Sequence, residues 1–90
     1  MENPERKPKI LVVDDSAFEI QLVDWILQEN NYQTVLANNG SEALEIIKTL
    51  TPALILLDIM LPDINGFEVC KKIDFFCHYL KINLIRILFR

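Results

Sequence analysis

Ninety residues leave room for one domain, and a hydrophobic share of 51% excludes a disordered chain. A formal net charge of −4 excludes the dense basic surface that duplex nucleic acid demands. The charge is uneven: residues 1–73 hold twelve acids and six bases, whereas residues 74–90 hold Asp74 against Lys81, Arg86 and Arg90.

Met1 to Pro8 is a charged extension without the apolar core of an export signal. Ile10-Leu11-Val12-Val13 is a short, wholly apolar, β-branched run that stops at Asp14-Asp15, as a parallel strand buried on both faces does. Ser16 is a candidate cap for a helix running to about Asn30, in which Phe18, Leu22, Val23, Ile26 and Leu27 recur at helical spacing. Gln33 to Ala37 reads as a second strand. Asn39-Gly40 is a turn signal, with Ser41 as the next candidate cap, and Ala43, Leu44, Ile47 and Leu50 line one face of a second helix. That helix ends at Thr51-Pro52, because the residue before proline avoids the helical region.

Ala53 to Leu57 is a third apolar strand, and it ends on Asp58. A loop from Ile59 to Asn65, containing Pro62, closes at Gly66, and residues 67–74 start a third helix. The β-α-β-α-β-α order implies a parallel sheet with helices on both faces. Phe75 to Arg90 departs from the body in composition. Within it, Ile82 to Phe89 suits a fourth strand better than an amphipathic helix, since Lys81, Arg86 and Arg90 share no helical face; the alternative is a tail without an evolved role. Its apolar run is interrupted by Lys81 and Arg86, which makes a poor membrane span. Cys70 and Cys77 match no metal or redox spacing and suit reduced thiols of a cytoplasmic protein.

Two strands thus end on acids. In open parallel sheets ligands bind beyond the carboxyl ends of the strands, where strand order reverses. If the first and third strands are neighbours, Asp14, Asp15 and Asp58 meet at one edge. Like charges at about 4 Å repel by roughly 4 kcal/mol at an effective dielectric of about 20, so such a cluster calls for a cation or a proton. A hard divalent ion such as Mg²⁺ meets that need. The plainer reading is that strand ends favour polar residues and that each acid caps a helix.

The strand ILVVDD, the turn and helix NGSEAL, the strand ALILLD and the loop MLPDINGFE together resemble the receiver domain of two-component response regulators. The resemblance runs from Ile10 to Ile73. It implies a flavodoxin-like, CheY-like doubly wound α/β sheet. It also implies that Asp58 accepts a phosphoryl group from a histidine kinase or phosphotransfer protein. Asp15 would then bind Mg²⁺ directly, Asp14 directly or through water, and the Met60 main-chain carbonyl would complete the set. The domain would be an acceptor and not an enzyme in its own right.

Against that pattern the chain divides into an extension (1–8), a partial receiver domain (9–74) and an atypical tail (75–90), incomplete after the third helix. The family's Ser or Thr at the end of the fourth strand and Lys at the end of the fifth have no counterpart. Lys71, Lys72 and Lys81 are read as solvated charges, and His78 as structural or exposed. An aspartate nucleophile of the haloacid dehalogenase type would need a second acid where Met60 stands. A nucleotide-binding turn would need glycine where Asp14-Asp15-Ser16 stands. Two readings remain: a receiver that is phosphorylated, impaired by truncation, or a fragment that docks a kinase or another receiver without being phosphorylated. Exposure of the Leu22, Val23, Ile26 stripe, or of a sheet edge, would favour self-association.

Overall fold

The computed structural model of the chain describes residues 7–58 and 66–87. Strand β1 (Lys9–Val13), helix α1 (Ala17–Glu29), β2 (Gln33–Ala37), α2 (Gly40–Thr49), β3 (Leu54–Asp58), α3 (Gly66–Leu80) and β4 (Asn83–Ile87) follow one another along the chain. All strand pairs are parallel, in the order β2-β1-β3-β4. The chain leaves β1 towards one side for β2, then returns to the other side for β3. The strand order therefore reverses at the β1–β3 seam.

Strand alternation divides the core into two layers. Leu11, Val13, Ile55 and Leu57 pack against Ala43 and Ile47 of α2 and Ile73 and Cys77 of α3. Ile10 and Val12 face the other way, against Ile20 of α1, with Val23, Leu27, Leu54 and Leu56 beside them. Each fully buried Leu or Ile contributes about 1.5–3 kcal/mol of transfer free energy, so β1 and β3 anchor the fold.

The caps explain the helix limits. Ser16 Oγ accepts the Glu19 N–H, as the sequence suggests for α1. At α2 the cap is Asn39 and not Ser41: Asn39 Oδ1 accepts the Glu42 N–H at 2.8 Å. The expected turn residue takes the capping role, and the helix begins at Gly40. Asn31 (φ 68°) and Lys81 (φ 59°) both adopt the left-handed region just after α1 and α3. The Tyr32 N–H then bonds Leu27 O, and the Ile82 N–H bonds Cys77 O, closing each helix by a bond across five residues.

Helix α3 continues six residues beyond the expected Asp74 limit, and the tail supplies β4 as well. Ile73 and Cys77, four residues apart, lie on one buried face, which carries the helix across the expected boundary. The apolar stripe expected of α1 is split. Ile20 is buried, with Val23 and Leu27 packed beside it, whereas Phe18, Leu22 and Ile26 are exposed, along with Trp25. A hydrogen bond from Thr34 Oγ1 of β2 to Asp24 Oδ1 ties α1 to the sheet beside Ile20.

Candidate functional site: an acidic pocket at the strand ends

The register pairs Val13 with Leu57, so Asp14 emerges beside Asp58 at the β1–β3 seam. The Asp14 N–H donates to Ala37 O on the other flank, holding the first residue after β1 in line with the sheet. Both carboxylates are fully buried, at 0% exposure. Asp14 Oδ1 accepts the Ser16 N–H at 2.9 Å, while its Oδ2 is buried and takes no hydrogen bond.

A third acid joins them. The carboxylates of Asp14, Glu19 and Asp58 each bring an oxygen within 4.8 Å of the others. One oxygen on Glu19 and one on Asp58 are likewise buried and accept no hydrogen bond, although both residues make other interactions. Burial is the main cause that pushes the Asp14 carboxyl above the usual carboxylate range. The Ser16 N–H works against that shift, contact with Glu19 adds to it, and a hydrogen bond involving Asp58 opposes it.

Of the residues singled out in the sequence, Asp14 and Asp58 meet as expected. Asp15 is exposed beside them and lies outside the three-carboxylate group. Met60, Pro62 and the rest of 59–65 lie outside the described residues. Lys71, Lys72, Lys81 and His78 are exposed, and Cys77 is buried in the core. Glu19 escaped the sequence reading. The signal available was Ser16-Ala17-Phe18-Glu19, a capping-box spacing. In a capping box the glutamate reaches back to the N–H of the cap residue. Here Asp14 Oδ1 accepts that N–H, and the Glu19 carboxylate turns to the acids instead.

A parallel sheet with buried acids at the point where strand order reverses is the architecture of a receiver module. Residues 10–85 match the response regulator receiver domain model, and the chain belongs to that family. The match runs through α3 and into β4. Among full-length relatives, the chain is 45% identical over 65 residues to the alkaline phosphatase synthesis transcriptional regulatory protein PhoP of Bacillus subtilis, covering 72% of this chain and 27% of that protein. It is 38% identical over 65 residues to the DNA-binding response regulator MtrA of Mycobacterium tuberculosis, covering 72% of this chain and 28% of that one. The chain thus spans less than a third of the length of these relatives.

Among solved structures, chemotaxis response regulator CheY4 of Vibrio cholerae superposes with a TM-score of 0.79 at 30% identity, over 90% of this chain and 68% of that one. A CheY-like receiver domain protein of Methanospirillum hungatei gives 0.76 at 30% identity, over 90% and 63%. The fold is therefore the CheY-like, flavodoxin-type doubly wound sheet. Receiver domains generally bind Mg²⁺ at an acidic pocket and work with histidine kinases or phosphotransfer proteins. Among the described residues no helix is long and apolar enough to cross a membrane.

Proposed function

We propose that this chain accepts a phosphoryl group on Asp58 from a histidine kinase or phosphotransfer protein, as a signalling module of the cytoplasm and not as an enzyme in its own right. The observation that carries the proposal is the pairing of two fully buried carboxylates on adjacent strand ends, one with an oxygen that has no hydrogen bond. Such a donor set fits a hard divalent cation: it is all oxygen, anionic and closely spaced. Asp14, Asp15, Asp58 and the Met60 carbonyl would hold Mg²⁺. The ion would supply charge compensation for the phosphoryl oxygens.

The rest of the chemistry falls to the chain. A carboxylate oxygen of Asp58 bonds to phosphorus as the phosphorus–nitrogen bond of a phosphohistidine breaks, and the departing imidazole nitrogen keeps the bonding electron pair. Asp58 closes β3, which would hold its carboxylate for attack, and the Ser16 N–H orients Asp14 beside it.

One observation favours a second reading, a docking fragment that is not itself phosphorylated. Asp58 is paired in register with Ile87, and β4, Asn-Leu-Ile-Arg-Ile, carries no hydroxyl residue to meet a phosphoryl group. Incubation with Mg²⁺ and acetyl phosphate, followed by intact-mass measurement, separates the two. A single phosphoryl adduct that disappears in Asp58→Asn supports acceptance. No adduct, under conditions that label a complete receiver, overturns it in favour of docking.

A further inference from the structure

We infer that Glu19 is a specificity-determining ligand of the acidic pocket, one that shifts its preference among divalent cations towards larger ions, Ca²⁺ above all. The inference deepens the cation-site reading and rests on it. Glu19 sits in the first turn of α1, and its carboxylate reaches within 4.8 Å of those of Asp14 and Asp58, which stand at the ends of two different strands. Asp14 Oδ1 takes the Ser16 N–H at 2.9 Å, the donor that a capping-box glutamate accepts. The independent sign of a missing ligand is Asp14 Oδ2, which is buried and takes no hydrogen bond.

The chemistry of the ions then decides the preference. Mg²⁺ keeps near-ideal octahedral geometry and several waters, and is commonly held by one or two carboxylates. Beside the carboxylates of Asp14, Asp15 and Asp58, Glu19 adds a further one, which must displace water that Mg²⁺ gives up reluctantly. Ca²⁺ takes about six to eight oxygens in flexible geometry and gains from each added carboxylate. Glu19 is anchored through its backbone to the Ser16 cap, so it offers that oxygen from a rigid helical turn. Asp14, Asp15 and Asp58 without Glu19 would suit a small, hydrated ion; Glu19 enlarges the donor set.

The test is calorimetric titration of the whole chain, kept metal-free beforehand, with MgCl₂ and with CaCl₂. Wild type is compared with Glu19→Gln, which keeps shape and removes charge, and with Glu19→Met; far-ultraviolet circular dichroism confirms that each is folded. The expected result is a loss of about tenfold or more in Ca²⁺ affinity, with a loss in Mg²⁺ affinity of about threefold or less. A Ca²⁺-to-Mg²⁺ affinity ratio that stays within about twofold of wild type overturns the role of Glu19 and leaves the cation site standing. Tighter binding of both ions in Glu19→Gln also overturns it, by showing that Glu19 only repels its neighbours. Wild type that binds neither ion at millimolar concentration overturns the cation site itself, and the inference with it.

Discussion

Replacing Asp14 by Asn keeps the volume of the side chain and the oxygen that accepts the Ser16 N–H, and removes one buried charge from the pocket. Two full carboxylate charges 4.8 Å apart repel by about 3.5 kcal/mol at an effective dielectric of about 20. Asp14 faces two such neighbours, Glu19 and Asp58. Proton uptake at the raised carboxyl and the hydrogen bonds around it offset much of this, leaving a net gain of about 1–3 kcal/mol for Asp14→Asn without metal. For a domain of this size each kcal/mol moves Tm by about 4–8 °C. Mg²⁺ should act in the opposite sense on the pair. At ten times its dissociation constant it should stabilise wild type by about 1.4 kcal/mol, and it should stabilise Asp14→Asn far less. Thermal and urea unfolding in EDTA and in Mg²⁺ measure all four states. A variant less stable than wild type in EDTA, or one that gains as much from Mg²⁺ as wild type does, would refute the reasoning.

Acidification should narrow the gap between the two proteins. The folded Asp14 carboxyl lies above its unfolded value, so the folded chain holds the extra proton more tightly. That contribution to stability is fully present below the unfolded carboxylate pKa of about 3.9, and is lost as pH rises through the folded value. The advantage of Asp14→Asn in EDTA should therefore shrink on acidification and grow towards neutrality, and a pH-independent gap in Tm would contradict this. Lys81 holds φ 59° at the end of α3, where a side chain costs energy that glycine does not incur. Lys81→Gly should raise stability by about 1 kcal/mol in urea unfolding, and a loss of stability would show that the lysine side chain contributes more than the backbone strain it imposes. Leu22, Trp25 and Ile26 expose 46%, 63% and 45% of their surfaces along α1, and Ile85 on β4 exposes 47%. We propose that this face drives self-association of the chain. Sedimentation should show concentration-dependent association that falls in Leu22→Ser/Ile26→Ser, whereas a wild-type monomer at high concentration would sink the idea.

Much of this fold is legible in short windows of sequence. The apolar runs before Asp14 and Asp58 announce two buried parallel strands, and the β-α alternation dictates helices on both faces. The extent of β2, Gln33 to Ala37, and the Ser16 cap need no partner to be recognised. Other features depend on competition between near-equal local choices. Asn39 and Ser41 both suit a helix start, and the Glu42 N–H bonded to Asn39 Oδ1 marks Asn39 as the cap. The residues after Asp74 suit helix or strand; the burial of Cys77 below Ile73 and the pairing of β4 with β3 decide where one ends and the other begins.

The pocket shows the same division. The sequence by itself determined that acids stand at the ends of two strands, because an apolar run that stops on a charge is a local fact. Only the tertiary structure decided that β1 and β3 adjoin, that Asp15 lies exposed outside the group, and that Glu19 turns inward. The physical reason is range. Strand periodicity and caps act over a few residues. Which acids meet is set by pairings such as β1 with β3, and by contacts such as Asp24 with Thr34, which exist only once the sheet has formed.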